Sequence, residues 1–371
     1  MSDQTMVPQP TLNREAELDL LEARVTDALR LARKAGAQEA EVSAHTSQGL
    51  SVTGRLGEVE TLEHMQDRGI AVTVLFGRKK GHASSADLRE TSIEDCIMRA
   101  TEIARYTQED SANGLADKDR LATEFPDLDL WHPAPIDASA AIARVLECEA
   151  AGRAFEEITN SEGATFNAGL GLGVYGNSNG FIGRSGGTRY SQSCILLGGE
   201  GDSMQRDYSY DSRRCFDELE APGITGEEAA RRTARRLGPR QLPTSEMPVL
   251  FAPEVAQGLV NHLVGAISGS ALYRNASFLK GAVGERLFPD WLNILERPRL
   301  KRGAGSAVFD SEGVATRERC IVGSGVLDGY VLSSYSARRL GLETTGNAGG
   351  VRNLLLEPGG EGFESPLEPV S

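Results

Sequence analysis

Apolar side chains at Leu18, Leu21, Val25, Ala28, Leu29 and Ala32 recur at helical spacing, predicting an amphipathic helix from Glu15 to Lys34 that closes at Gly36. The period then drops to two. Ala40, Val42 and Ala44, then Leu50 and Val52, then Ile70, Val72 and Val74 alternate with polar residues. This predicts an antiparallel meander punctuated by Gly49, Gly57, Gly69 and Gly77. Ile93, Ile97, Ala100 and Ile103 restore the helical period between Thr91 and Tyr106. The acidic stretch from Gln108 to Pro135, with Pro126 and Pro133 inside it, reads as a loop and a domain boundary.

Asp137 is placed to cap a second long helix reaching Phe155, built on Ile142, Val145, Leu146 and Ala150. From Gly163 to Tyr210, strand-like runs separated by Gly and Asn-Gly turns predict successive hairpins. TGEEAARRTARRL reads as a helix opened by a capping box from Thr225 to Glu228, with Glu227–Arg231 and Glu228–Arg232 spaced i,i+4. After the connector Arg240–Pro248 come a strand at Val249–Phe251 and a helix from Pro253. That helix carries Val255, Leu259, Leu263 and Ile267 in one core-facing stripe. RERCIVGSGVLDGYVLSS predicts a hairpin, and the acidic end EPGGEGFESPLEPVS is expected to fray. The pattern gives an α+β fold, antiparallel sheets with flanking helices, in three units spanning 15–108, 122–238 and 246–357.

Composition narrows the function. The chain has 371 residues, 40% of them hydrophobic, and a net charge of -14, a field that repels nucleic-acid phosphate and anionic membrane surfaces. No apolar run is long enough to span a bilayer, and the acidic N-terminal segment lacks the pattern of an export signal. Cys96, Cys148, Cys194, Cys215 and Cys320 are odd in number, widely spaced and free of CxxC pairs, which suits reduced thiols and a cytoplasmic location.

Few motifs carry chemistry. Gly171–Gly176 matches GxGxxG, but no helix follows, so glycines in a sheet explain it better than a dinucleotide site. There is no phosphate-binding loop, and Gly323-Ser324-Gly325 reads as a turn rather than a nucleophile elbow. His45, His64, His82 and His132 have no second His or Cys at i+3 or i+4. His262 lies midway along the third-unit helix, and a zinc site would need further ligands that this helix does not supply. Asn160-Ser161-Glu162-Gly163 and Asp310-Ser311-Glu312-Gly313 repeat an (N/D)SEG element. The default reading is a turn whose Asn or Asp caps backbone amides while Gly takes positive φ, with a peptide-contacting role as the functional alternative.

The order of GLSVTGRLGEVETLEH, DRGIAVTVLFGRKKGHASSADL, ADKDRLATEFPDLDLWHPA, ITNSEG and MQRDYSY resembles the TldD/PmbA family. The third unit, with VLFAPEVAQGLVNHLVGAISGSALYRNASFL, PDWLNILERPRL and FDSEGVATRERCIVGSGVLDGYVLSSYSARRLGLETTGNAGG, is similar to the PmbA (TldE) branch, and the likeness runs from Ala40 to Asn353. The resemblance implies a cytosolic two-subunit zinc peptidase, TldD with TldE, that clips small unfolded peptides and is also known as a modulator of DNA gyrase. TldD chains carry HExxxH on the helix that opens the third unit. The matching positions here are His262, Leu263 and Ile267, so the general base and the second histidine are replaced.

The resemblance therefore implies a non-catalytic subunit that binds no cofactor, with zinc expected in a TldD-like partner. His262 is expected to pack or hydrogen-bond in the helix interface. Candidate peptide or interface contacts are His262, Asn160, Glu162, Asp310 and Glu312. Family chains continue beyond GGVRN, so the C-terminal β-rich unit is expected to be truncated, with sheet edges left unpaired. Without the partner a homodimer is one option, and the sequence leaves the oligomeric state open. The rival classes are a non-proteolytic regulator acting on gyrase and a stand-alone metallopeptidase, the latter needing ligands the sequence does not show.

Overall fold

The computed structural model describes residues 12–357. Helix α1 (Arg14–Lys34) starts where the Asn13 side chain accepts from Ala16 N–H and ends ahead of Gly36, whose φ of 92° is left-handed. Then follow β1 (Glu39–Arg55), β2 (Glu58–Phe76), β3 (Lys79–Ser85), α2 (Glu90–Tyr106), α3 (Ala138–Arg153), β4 (Ile158–Asn177), β5 (Ile182–Gly198), β6 (Gln205–Arg213) and α4 (Pro222–Arg235). Their six strands form one sheet in the order β3-β2-β1-β4-β5-β6, antiparallel throughout. The mixed α+β class read from the sequence holds. The loop between α2 and α3 falls at the expected first boundary, yet β1 pairs with β4 from Glu41↔Asn177 to Gly54↔Ala164, so the two units on either side share the sheet.

Alternation decides which face is covered. Ala40, Val42, Ala44, Leu50 and Val52 of β1 and Phe166, Leu172 and Val174 of β4 project to one side, where α1 and α2 bury one half and α3 and α4 the other. α3 and α4 cross closely because Gly226 has no side chain; a Cβ there would sit 1.9 Å from the Cys148 carbonyl oxygen. The opposite face presents Ser43, His45, Ser47, Ser51 and Thr53 from β1, Thr165 and Asn167 from β4, and Ser191 and Ser193 from β5.

The third unit comprises α5 (Pro253–Ala266), α6 (Gly269–Tyr273), β7 (Asn293–Glu296), β8 (Arg319–Gly323), β9 (Val326–Leu327), α7 (Ser334–Leu340) and β10 (Leu354–Glu357). Its sheet order is β10-β7-β8-β9, around a core that includes Leu263, Ile267, Leu272, Ile294, Ile321 and Leu327. It docks on the rest through Phe309, whose ring lies 5.3 Å from Phe181 in an edge-on contact. Gly183 makes room, since a Cβ there would meet Phe309 at 2.6 Å.

Several local expectations change. Gly49 and Gly69 lie inside long strands, paired with Met65 and His45, and only Gly57 and Gly77 make the turns. α4 begins at Pro222 rather than at a Thr225 cap: the proline supplies the helical start, and the buried Thr225 hydroxyl accepts from Gln192 Nε2 at 2.6 Å. Arg232 reaches Glu254 of α5 at 2.8 Å instead of Glu228, tying α4 to the third unit. Val249–Phe251 is not a strand. No described strand lies alongside to complete its backbone hydrogen bonds, and Leu250 stays 74% exposed. The acidic end beyond Glu357 lies outside the described residues.

Candidate functional site

A cleft of about 890 Å³ opens between the helix-free face of the large sheet, the loop 125–131, and the loop 306–311 of the third unit. Its floor is backbone. Gly171, Gly173 and Gly187 stand next to one another on β4 and β5, with Ser47 of β1 beside them. A Cβ on Gly171 would meet nothing closer than 3.9 Å, so the sheet surface is flat and open there. Trp131, at the rim, packs on the α1 side of the sheet, with the Arg14 guanidinium 5.7 Å from its ring centre. The loop is fixed to β5: Thr188 N–H donates to the Leu130 carbonyl at 2.9 Å.

Charges around the cleft divide into satisfied and unsatisfied. Arg184 is neutralised by Glu22 at 2.6 Å and Asp19 at 2.8 Å. Asp129 is paired with Arg302 at 2.6 Å, a bond that holds its carboxyl below the usual range. Arg214 is half-buried and donates to two carbonyls, Thr188 at 3.1 Å and Ala304 at 2.7 Å; burial and the charge of Arg189 depress its pKa. The Arg352 Nε is buried with no acceptor among the described residues.

On the third-unit side the Asp310-Ser311-Glu312-Gly313 turn has the expected form. Asp310 Oδ1 accepts from Glu312 N–H at 2.9 Å and from Val314 N–H at 3.0 Å, and Gly313 takes a φ of 81°. Asp310 Oδ2 accepts from Ala348 N–H at 2.9 Å, while Ser311 N–H donates to the Ala348 carbonyl at 3.0 Å. This carboxylate thus staples the turn to the segment 346–352 that carries Arg352. Burial raises the Asp310 pKa to about 6 against the three amides, which act to lower it. Glu296, buried in β7, fixes the same segment from beneath, accepting from Arg352 N–H at 2.7 Å and Asn347 Nδ2 at 2.8 Å while pairing with Arg319 at 2.8 Å. Ser311 is exposed, and a Cβ on Gly349 would come within 2.7 Å of its Oγ and 4.0 Å of Arg352 Nη2, so the hydroxyl and guanidinium are near neighbours.

The sequence-derived candidates scatter. Asp310 lines the cleft. Glu312 turns away, its Oε2 accepting from Ser334 N–H at the start of α7, at 2.8 Å. Asn160 and Glu162 occupy a bulged stretch of β4, the first bonded to Ser161 N–H and the second forming a two-pronged pair with Arg206 at 2.8 Å. That stretch is nearly ten residues along β4 from Gly171, roughly 30 Å at strand rise. His262 is not packed in a helix interface. It is exposed on α5, and no hydrogen bond among the described residues ties it down, because the core-facing side of that helix takes Leu263 and Ile267 instead. Both lie in the apolar core of the third unit, Ile267 fully buried. These positions do not fit a zinc ion: two of the three carry hydrocarbon pointing into a packed core, and among the described residues no three His, Cys, Asp or Glu side chains gather.

Gly187, Trp131, Arg214 and Arg352 were not singled out from the sequence, and Gly171 and Gly173 only as glycines of a sheet. They come from separate elements, and only the antiparallel register and the docking of the third unit bring them together.

Three family models match in order: PmbA/TldA metallopeptidase domain 1 over residues 40–104, the central domain over 131–237 and the C-terminal domain over 244–370. The chain is 45% identical over 345 residues to the metalloprotease PmbA homolog of Haemophilus influenzae, covering 93% of this chain and 76% of that one. It is 44% identical to metalloprotease PmbA of Escherichia coli O157:H7, covering 96% and 79%. A crystal structure from Bacteroides thetaiotaomicron, described as a candidate modulator of DNA gyrase, superposes with a TM-score of 0.86 at 27% identity, covering 91% and 77%. TldE from Thermococcus kodakarensis has the same fold, with a TM-score of 0.76 at 19% identity, covering 92% and 79%. The chain belongs to the PmbA/TldD metallopeptidase family.

Proposed function

We propose that this chain is the TldE-like, non-catalytic subunit of a peptidase whose zinc and general base come from a TldD-like partner, and that the pair degrades small unfolded peptides. The observation that carries this reading is the fate of the HExxxH positions: Leu263 and Ile267 are core residues, and His262 stands alone at the surface. Peptides would be held by strand addition, which selects unfolded chains because a folded sheet has no free edge to give. One such edge is available on β2. β3 pairs only with Ile70–Phe76, so the half from Glu58 to Gly69 is paired on the β1 side alone. The five free thiols are in keeping with the reducing cytoplasm, and no helix of the described residues is long and apolar enough to cross a membrane.

The decisive experiment purifies the chain alone and co-expressed with a TldD homologue, and measures zinc content and cleavage of a short unstructured peptide. Zinc and cleavage are expected only with the partner. Stoichiometric zinc in the isolated chain, lost in His262→Ala, would overturn the assignment. The gyrase-related description of the Bacteroides structure favours a second reading, a regulator without proteolysis. A supercoiling assay with the isolated chain separates the two, since only the regulator changes gyrase activity with no peptide cleaved.

A further inference from the structure

Resting on the peptide-handling reading above, the inference concerns what the cleft recognises in a peptide. The chain as a whole is acidic, at -14, yet the cleft holds two guanidinium groups that no carboxylate neutralises among the described residues. Arg214 spends its donors on carbonyls, which leaves its positive charge uncompensated. Arg352 has an orphaned Nε, with its own N–H held by Glu296 and its loop held by Asp310. A buried donor without an acceptor is costly, and a rigid loop that keeps one beside a cavity is a receptor lacking its anion. Asp310 cannot be that anion, because its oxygens are committed to three backbone amides.

We propose that this cleft binds a carboxylate of an extended peptide, received by the guanidinium of Arg352 and the hydroxyl of Ser311. Arg214 supplies the surrounding positive field, and the glycine floor lets the peptide backbone lie against the sheet. A planar carboxylate matches the fork of an arginine with two parallel hydrogen bonds. The glycines favour a chain over a compact anion: Gly171 leaves bare, half-exposed backbone beside Ser47 for an extended segment to lie against. The carboxylate has two sources, the C-terminus and an Asp or Glu side chain.

The test uses the full chain and fluorescence anisotropy with three N-terminally labelled peptides of otherwise uncharged sequence: a free acid, its C-terminal amide, and an amide with one internal Glu. The free acid is expected to bind at least tenfold more tightly than the plain amide. Arg352→Gln should bring the acid down to the amide's level and leave the amide unchanged, while Arg274→Gln, an exposed arginine just after α6 and away from the cleft, should change neither. An internal-Glu amide that binds like the acid assigns the site to acidic side chains; one that binds like the plain amide assigns it to the C-terminus. Equal affinity for all three peptides, or an acid preference that survives Arg352→Gln with the melting temperature unchanged, overturns the carboxylate site but leaves peptide handling standing. If none of the peptides binds, the carboxylate site is overturned; if the co-expressed pair also fails to cleave them, the peptide reading falls as well.

Discussion

Asp310 sits at 1% exposure with every oxygen bonded to an amide, and its titration has a definite sign. Burial lifts its pKa from the usual 3.8 to about 6, so the folded state holds this proton more tightly than the unfolded chain does. The stability that follows is fully present below pH 3.8 and is lost as pH rises toward 6. Asp310→Asn removes the titration. The stability of wild type over the variant, from denaturant unfolding at pH 4 and pH 7, should therefore shrink with rising pH by on the order of 2–3 kcal/mol. A gap that is constant or widens contradicts the assignment. The turn role of Asp310 was legible in the sequence because the (N/D)SEG pattern is local. The carboxylate of Glu149 was not: it accepts from Leu56 and Gly57 N–H at 2.7 and 3.0 Å, across more than ninety residues, and fixes the β1–β2 turn. Arg352 was missed for the same reason, since its significance lies in loops that meet only after folding.

Among the elements, helices were the most legible, because an apolar stripe at period 3.6 survives whatever packs on it. α1, α2 and α3 lie close to where periodicity puts them, and so does α5, but only the C-terminal half of its expected stripe is covered: Leu263 and Ile267 are buried while Val255 and Leu259 stay exposed, because the third-unit core packs only on that end. The strands were underestimated in length. Gly49 and Gly69 looked like breaks, but cross-strand pairing carries the ladder through them. The strand expected at Val249–Phe251 failed for the converse reason: a local run of apolar residues cannot supply the neighbour a strand needs. α5 gives a sharp test of its own role. Restoring the family motif with Leu263→Glu and Ile267→His would push a carboxylate and an imidazole into hydrocarbon, costing on the order of 3–5 kcal/mol. We expect a melting temperature lowered by several degrees and no zinc uptake by the isolated chain. Stoichiometric zinc with undiminished stability would show that α5 can turn its other face inward.

At the scale of the molecule, the α+β class was readable, because the chain switches between helical and strand periods. What could not be read is that the first two parts share a sheet. A join through β1 and β4 links residues more than a hundred positions apart, and no local pattern records it. The cleft depends on the same join, since its floor combines Ser47 of β1 with glycines of β4 and β5.

The β1–β4 ladder has a practical corollary. A protease nick between Gln108 and Pro135, in the loop joining α2 to α3, severs the chain without severing the sheet. The two fragments should elute together in gel filtration and melt in one transition, parting only in denaturant. Neither expressed separately should fold, because each would carry a long, bare central strand into water and aggregate along it.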